Sequence, residues 1–269
     1  MVKIIATDID GTFLRSDKTF DRPRFEGLLG KMAEHQIEFV VASGNQHCHL
    51  LQHFADYQDR ISFVSENGGH VIVKGKTLLE EFISKEAISK LVTYMEFNYP
   101  EAVINLAGKQ SSYLPQSTNS IARKELEYYL PKLIYVNNLH PIPDDDFFKM
   151  TLLVPDELTE HIQAEINEQF MVYGLSATTS GFGCLDIIPT HMDKSVGLQV
   201  LLDYWQCGSN QLMAFGDGGN DIEMLRLAGQ SYAMANAPLL VQNEAKYLAP
   251  SNDDDGVLSV LEAFLTEED

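Results

Sequence analysis

One stretch near the start of the chain constrains the fold more than any other. Residues 3–12 form an apolar run that ends in two carboxylates and a glycine, which is typical of a buried parallel strand whose carboxyl end opens into a ligand site. Side chains alternate along a strand, so Asp8 and Asp10 can point to one side while Ile9 points into the core. Gly11 then allows a sharp turn. Because two carboxylates this close repel each other, the stretch predicts a cation beside them.

Two more polar clusters follow apolar runs farther along the chain. Residues 43–45 (Ser-Gly-Asn) come directly after the run at 37–42, and residues 216–221 (Gly-Asp-Gly-Gly-Asn-Asp) follow the run at 212–215. Taken alone, an Asp-x-Asp-Gly fragment favours an ordinary solvated turn. In a parallel sheet, however, all three clusters lie at the same carboxyl edge, where such folds bind ligands. Together they predict a functional site at that edge.

The order of segments predicts a parallel α/β core that is interrupted by an insert. Strands and helices alternate over residues 3–82, which implies parallel strands joined by right-handed crossovers. Over residues 84–187 helices are mixed with hairpins. After residue 187 the alternation of strands and helices resumes. We therefore predict an α/β fold, with a Rossmann-like parallel-sheet core domain at residues 1–83 and 188–269 and an inserted α+β cap domain at residues 84–187.

Charge and composition exclude several classes of protein. The 269 residues suit two modest domains. A formal charge of −20 argues against nucleic acid or an anionic membrane as a partner, and an anionic substrate would need local positive charge. No apolar run approaches the ~18 residues of a membrane span, and the start lacks the layout of a signal peptide. With three scattered cysteines, we expect a cytoplasmic protein with reduced thiols.

The ordered clusters resemble the four motifs of the haloacid dehalogenase superfamily of phosphotransferases. Residues 8–12 resemble the first motif, Ser43 the second, Lys194 the third and residues 216–221 the fourth, so the likeness spans nearly the whole chain. Within the superfamily the sequence is most similar to the Cof-type sugar-phosphate phosphatases, which carry a type IIB cap. Residues 40–46 and 180–183 add to that likeness.

The resemblance implies a Mg²⁺-dependent phosphatase that hydrolyses small phosphate esters, sugar phosphates above all, through an aspartyl-phosphate. Asp8 would attack phosphorus. Asp10 would protonate the leaving alcohol and then take a proton from the attacking water. The Mg²⁺ would be held by Asp8, the backbone carbonyl of Asp10 and Asp217. Asp221 would support the metal directly or through water, or would serve as a helix N-cap.

The resemblance also implies a set of phosphate-binding groups. Ser43 and the amide of Gly44 precede a helix, where N–H groups favour a phosphate, Lys194 supplies positive charge and Asn220 a neutral donor. The alternatives are an N-cap serine, an exposed helix lysine and a turn asparagine. Asn45 stands where many relatives carry arginine, which removes a cation near the phosphate.

Other clusters have weaker functional interpretations. His49 and His53 have the i, i+4 spacing of metal ligands, but the zincin pattern requires a Glu where Leu50 stands, so a partly exposed helix face is favoured over a zinc site. The acidic runs at residues 144–146 and 253–255 lack the spaced ligands of a calcium loop and indicate solvated turns.

Two other functions fit the same motifs. A phosphomutase or phosphotransferase would pass the phosphoryl group of the aspartyl-phosphate to another hydroxyl. A sugar-phosphate-binding protein would not turn over at all. The presence of a nucleophile weighs against this second alternative, because a sensor needs none. In the favoured interpretation the cap closes over the core and supplies specificity. Hairpin turns at Gly108 and at residues 181–183 are the predicted substrate-facing loops.

Overall fold

The structure, a computed structural model, describes residues 1–181 and 183–268. They group into two compact units. The first contains Met1–Ser43, Asp56–Leu79 and the chain from Asp193 onward, and the second contains Gly44–Ala55 and Glu80–Met192. The predicted domain boundaries differ from this grouping chiefly at residues 44–55, which the sequence placed in the core. The two-domain assignment itself stays a prediction.

In most of the first unit the strands alternate with helices, whereas the second unit also contains strands that are joined as hairpins. In chain order the strands are β1 (Ile4–Thr7), β2 (Glu38–Ala42), β3 (Ser62–Ser65), β4 (His70–Val73), β5 (Lys76–Glu80), β6 (Val103–Gly108), β7 (Ser112–Pro115), β8 (Leu133–Val136), β9 (Phe147–Leu153), β10 (Leu175–Gly181), β11 (Cys184–Pro189), β12 (Leu212–Gly216), β13 (Gln230–Met234) and β14 (Tyr247–Ala249). The helices are α1 (Arg22–Glu34), α2 (His47–Phe54), α3 (Lys85–Asn98), α4 (Ser120–Tyr129), α5 (Thr159–Gln169), α6 (Lys194–Tyr204), α7 (Ile222–Leu227), α8 (Leu239–Gln242) and α9 (Gly256–Glu268). None of the described helices is long and apolar enough to cross a membrane.

The sheet of the first unit brings the three polar clusters together. Its strand order is β14-β13-β12-β1-β2-β3-β4-β5, and the strands from β14 to β3 are parallel. Thr7 at the end of β1 pairs with Phe215 of β12 and with Val41 of β2. The residues that follow these strands therefore lie side by side at one edge, and the predicted α/β class with a parallel-sheet core is confirmed.

Burial on both faces explains the continuous apolar run of β1. All four of its residues are buried, because a central parallel strand is covered by neighbours on both sides of the sheet. On one face, Ile4 and Ala6 pack with residues of β2, β3, β12 and α6. The rigid centre of this sheet holds the backbone that precedes Asp8.

An N-cap fixes where α6 begins. The side chain of Asp193 accepts hydrogen bonds from the backbone N–H groups of Ser195 (2.7 Å) and Val196 (3.1 Å), which satisfies donors that the first helical turn leaves unpaired. Lys194 is therefore the first residue of the helix.

The second unit contains a sheet with one apolar and one polar face. Its strand order is β10-β11-β9-β6-β7-β8; β7 and β8 are parallel, and the other pairs are antiparallel. The apolar face belongs to a core that also contains residues of α3 and α5. Strand β8 is an element that the sequence analysis missed. The predicted hairpin at Gly108 joins β6 and β7, whereas Phe182 of the other predicted turn lies outside the described residues.

Candidate active site

A buried lysine joins two of the predicted acidic residues. Lys194 Nζ lies 2.6 Å from Asp8 Oδ1 and 2.6 Å from Asp221 Oδ1, and its side chain is 0% exposed. The interpretation of Lys194 as an exposed helix lysine is therefore wrong. A buried ammonium between two carboxylates is held by charge and hydrogen bonds together, so this contact links the end of β1 to the segment after β12.

The acidic groups share more negative charge than one lysine offsets. Burial raises the pKa of Asp8 well above its usual value, against the opposing charge of Lys194, and the charges of Asp221 and Asp217 raise it further. Burial also raises the pKa of Asp217 to about 6, although a hydrogen bond from Thr12 opposes the shift. For Lys194, burial alone would lower the pKa, but the charges of Asp221 and Asp8 raise it on balance.

Asp217 is held close to the turn that follows β1. Its Oδ1 accepts a hydrogen bond of 2.6 Å from Thr12 Oγ1. Gly11 has a φ of +77°, and a Cβ at this position would lie 2.4 Å from Asp217 Oδ2. Only glycine fits both the left-handed backbone and the close carboxylate, which explains the glycine of the first motif.

Three carboxylates form a cluster that suits a hard cation. Single oxygens of Asp8, Asp217 and Asp221 all lie within 4.8 Å of one another. Carboxylate oxygens are the ligands that Mg²⁺ prefers, and a cation would offset the negative charge that raises the pKa of Asp8 and Asp217. Asp221 also accepts hydrogen bonds at Oδ2, from the backbone N–H groups of Asp217 (2.9 Å) and Gly218 (2.8 Å). The residues present therefore fit a magnesium ion.

The side chain of Asp10 lies outside this carboxylate cluster. Its Oδ1 accepts a hydrogen bond of 2.6 Å from Lys18 Nζ, and both side chains are about one-third exposed. The role expected of Asp10 toward the metal uses its backbone carbonyl and stays a prediction. An accessible carboxylate two residues after Asp8 is suited to exchanging protons with a substrate and with water.

Two of the predicted phosphate-binding residues, Ser43 and Asn220, contact the turn after β3. Ser43, which follows β2, donates its backbone N–H to Val64 O (2.8 Å), and its carbonyl accepts the N–H of Asn67 (3.1 Å). Asn220 donates from Nδ2 to Asn67 Oδ1 (3.1 Å). Ser43 is not the N-cap of α2, because Gln46 occupies that position. Asn67 was not singled out by the sequence analysis.

Gly44 directly follows Ser43 and is anchored within the second unit. Its carbonyl oxygen accepts a hydrogen bond of 2.7 Å from Lys149 Nζ. Lys149 in turn forms a buried ion pair with Asp186 (2.9 Å), and Thr151 Oγ1 donates to the other oxygen of Asp186. Asn105, Thr151 and Asp186 are aligned across β6, β9 and β11 and form the polar face of that sheet.

The acidic run at residues 253–255 lies in a turn in which Asp253 and Asp254 are exposed, as predicted, and the run also forms structural contacts. Asp253 accepts hydrogen bonds from the backbone N–H (2.7 Å) and hydroxyl (2.9 Å) of Ser16, and Asp255 forms an ion pair with Arg15 (2.6 Å). These contacts hold the loop after the first motif against the C-terminal region. No local pattern identifies them, since the partners are distant in sequence.

The histidine pair is accounted for without a metal. The ring of His49 is buried and packs against Tyr128 and Tyr129 within the second unit. Across residues 1–181 and 183–268, the only group of three or more side chains placed to hold a metal is the one formed by Asp8, Asp217 and Asp221. The predicted partly exposed helix face is wrong for His49, whose ring is buried against the two tyrosines.

Comparisons with known proteins identify the family of the chain. A model of the haloacid dehalogenase-like hydrolase family matches residues 5–261. The chain is 40% identical to the 5-amino-6-(5-phospho-D-ribitylamino)uracil phosphatase YbjI of Escherichia coli strain K12, over 99% of this chain and 97% of that protein.

Solved structures have the same fold. A crystal structure of a protein from Streptococcus mutans UA159 is 45% identical and superposes with a TM-score of 0.96, covering 99% of this chain and 100% of that one. BT4131, described as a sugar phosphatase of HAD subclass IIB, is 21% identical with a TM-score of 0.84, over 98% of this chain and 99% of that one. At 21% identity this similarity shows a shared fold and nothing about activity.

Proposed function

Because the chain belongs to the haloacid dehalogenase-like hydrolase family, we propose that it is a Mg²⁺-dependent phosphatase of small phosphorylated metabolites. The observation that carries the proposal is the buried Lys194 ammonium, 2.6 Å from both Asp8 and Asp221, beside the carboxylate of Asp217. This arrangement joins a nucleophile, a fixed positive charge and a cation site at one edge of the sheet.

In the proposed reaction Asp8 attacks the phosphorus of a phosphate monoester. The hydrogen bond from Lys194 uses Oδ1 of Asp8 and fixes the carboxylate, so that Oδ2 is the attacking oxygen. A bond forms from this oxygen to phosphorus as the bond to the leaving alcohol breaks, and Asp10 donates a proton to the leaving oxygen. The product is an aspartyl-phosphate.

Water completes the turnover in the second half of the reaction. Asp10, now ionised, takes a proton from a water molecule whose oxygen attacks phosphorus, and the bond from phosphorus to Asp8 breaks. Phosphate is released and both carboxyl groups return to their starting states. Bound to Asp8 and Asp217, with Asp221 as a supporting group, Mg²⁺ would supply charge neutralisation for the phosphoryl group.

The phosphoryl oxygens would be bound by donors around the nucleophile. We assign this role to the hydroxyl of Ser43, the amide of Gly44, the side chain of Asn220 and the ammonium of Lys194. These groups supply local positive charge and hydrogen bonds, which a dianion requires to approach a protein with a net charge of −20. They also favour the transferring phosphoryl group over a neutral ligand.

The substrate class that we propose is a phosphorylated sugar or sugar alcohol. The E. coli relative is named for a substrate whose phosphate is carried by a ribityl chain, and this relative aligns over nearly the full length of both chains. The first compounds to test are therefore 5-amino-6-(5-phospho-D-ribitylamino)uracil and a panel of hexose, pentose and polyol phosphates.

Phosphate release from this panel tests the proposal. Wild-type protein is assayed with Mg²⁺ or with EDTA, next to Asp8→Asn, which retains the shape of the side chain but not the nucleophile. Mg²⁺-dependent release that is lost in the variant is the expected result. Equal release by the variant would exclude the aspartyl-phosphate mechanism. Formation of a phosphorylated acceptor sugar without release of inorganic phosphate would indicate a phosphotransferase.

A further inference from the structure

The turn after β3 has an unusual backbone. Three consecutive residues have positive φ angles: Glu66 (53°), Asn67 (52°) and Gly68 (100°). Residues with side chains seldom adopt this region, although asparagine tolerates it better than most. Such a conformation persists only where its surroundings hold it, and it is frequent at functional sites. Asn67 is also buried, with 1% of its surface exposed.

Asn67 connects two of the residues proposed to bind phosphate. Its backbone N–H donates to the carbonyl of Ser43 (3.1 Å), and its side-chain Oδ1 accepts from Asn220 Nδ2 (3.1 Å). Ser43 and Asn220 lie after different strands and are 177 residues apart in sequence. One buried residue therefore contacts both groups, Ser43 through its backbone and Asn220 through its side chain.

The same turn contacts the start of the helix that carries Lys194. A Cβ on Gly68 would lie 2.0 Å from the carbonyl oxygen of Asp193, the N-cap residue of α6. A Cβ on Gly197 would lie 3.0 Å from the Cα of Gly68 and 2.5 Å from a methyl of Val64. The backbones of the turn and the helix are thus in direct contact, which places Asn67 between three elements of the site.

We propose that Asn67 is a positioning residue for the phosphoryl group, acting through Asn220 and Ser43. By binding one N–H of the Asn220 amide, Asn67 fixes the plane of that amide and directs its second N–H. Its backbone fixes the carbonyl of Ser43 and with it the turn that follows β2. This inference rests on the proposed function, because it takes Ser43 and Asn220 to be phosphate ligands.

The test begins with Asn67→Gly. Glycine adopts the left-handed backbone without strain and keeps the N–H that binds Ser43, so the variant removes the side-chain acceptor for Asn220. The expected result is a rise of about fivefold to tenfold in KM for the phosphate ester and in the dissociation constant of inorganic phosphate, the range that one hydrogen bond supplies. The melting temperature should change little, which separates positioning from a merely structural role.

Gln36→Gly is the matched control. Gln36 also has a left-handed backbone (φ 58°), but it lies between α1 and β2, at the opposite end of β2 from Ser43. This variant should leave both KM and phosphate binding unchanged. Should Asn67→Gly not fold, Asn67→Ala replaces it: alanine also lacks the acceptor for Asn220, so phosphate binding should weaken by the same factor, at some cost in stability from the left-handed backbone.

A double-mutant cycle with Asn220→Ala decides whether Asn67 acts through Asn220. If it does, adding Asn67→Gly to Asn220→Ala changes phosphate affinity less than twofold, because coupled residues are not additive. If the two substitutions instead weaken phosphate binding independently, so that their factors multiply, the inference is overturned. Wild-type phosphate affinity in Asn67→Gly would also overturn it.

Calorimetry with inorganic phosphate and Mg²⁺ separates this inference from the proposed function. Phosphate binding that Asn67→Gly weakens supports the inference even if the wild type hydrolyses no ester tested, in which case the phosphatase proposal fails alone. Turnover by the wild type with unaltered binding in the variant leaves the phosphatase and removes the role of Asn67. No phosphate binding by the wild type would remove both.

Discussion

Thr12 and Asp217 are 205 residues apart in the chain and share a hydrogen bond of 2.6 Å between Thr12 Oγ1 and Asp217 Oδ1. This bond joins the first and the last motif directly. It also lowers the pKa of Asp217, against the larger effect of burial, which raises it. The hydroxyl of Thr12 therefore favours the ionised carboxylate that a cation requires.

Thr12→Val should weaken the apparent affinity for Mg²⁺. Valine has nearly the shape of threonine but donates no hydrogen bond, so the pKa of Asp217 rises above about 6. We expect the Mg²⁺ concentration for half-maximal phosphate release to rise about tenfold at pH 7, since hydrogen bonds to charged groups are the stronger ones. The deficit should shrink at pH 8.5, where Asp217 ionises in both proteins. Thr93→Val, at an exposed helical threonine, is the control; an equal Mg²⁺ requirement in Thr12→Val would contradict the prediction.

The stability of the metal-free protein should fall as pH rises from about 4 to about 6. The pKa of Asp217 in the folded protein, about 6, lies above the value of about 3.9 in an unfolded chain. Over this pH range the folded state therefore binds more protons than the unfolded chain, so the free energy of unfolding decreases as pH rises. Above about pH 6 the contribution of Asp217 no longer changes with pH. The raised pKa of Asp8 acts in the same direction. Melting temperatures in EDTA across pH 4.5 to 7.5 measure the effect.

Added Mg²⁺ should raise the melting temperature more at pH 7.5 than at pH 5. The metal competes with the proton on Asp217, so binding strengthens as that carboxyl ionises. Asp217→Asn should remove most of this difference and flatten the pH profile in EDTA. A Mg²⁺ effect that is the same at both pH values would mean that Asp217 is not a ligand.

Lys194→Met should destabilise the protein strongly near neutral pH. Removing one partner from a buried ion pair leaves uncompensated charge, here on Asp8 and Asp221, at a cost of about 3–5 kcal/mol. The loss should be smaller at pH 5, where Asp8, whose pKa is raised, is more easily protonated. Urea unfolding at the two pH values measures both effects. Lys109→Met is the control: its ion pair with Glu80 is about half exposed on the lysine side and should contribute less than about 1 kcal/mol.

Asn105→Leu should stabilise the second unit. Both polar atoms of the Asn105 side chain are buried and make no hydrogen bond among the described residues, so replacing the amide by an apolar group of similar shape should raise the free energy of unfolding by about 1 kcal/mol. Asn167→Leu is the contrasting variant, because Asn167 bonds both the N–H and the C=O of Ala177. It should lower stability by about 1–2 kcal/mol. A loss of stability in Asn105→Leu would show that its amide has a partner.

The sequence predicted the site residues that directly follow a strand. Strands β1, β2 and β12 are apolar runs followed by polar clusters, and this pattern alone indicated that Asp8, Ser43 and Asp217 would share an edge. The N-cap residue Asp193 is a local signal of the same kind for the start of α6. These signals are local, because a run of buried residues and a capping side chain are both read from a few neighbouring positions.

Features that depend on distant partners could not be predicted in the same way. The burial of Lys194 follows from two carboxylates that meet it only in the folded chain. Strand β8 is short and only partly buried, so it lacks the alternation that marks a strand. The Asn-Gly sequence at residues 67–68 indicated a turn but not its contact with Asn220, which follows from the sheet order.

The order β12-β1-β2 has a consequence for synthesis of the protein on the ribosome. Strand β1 is made long before its partner β12, which begins at Leu212, so one edge of β1 has no native neighbour until β12 has been made. A chain that ends before Lys194 contains Asp8 without Lys194, Asp217 or Asp221. Chains that terminate early would therefore display an unpaired apolar strand, a feature that quality-control proteases and chaperones recognise, and would contain no assembled site.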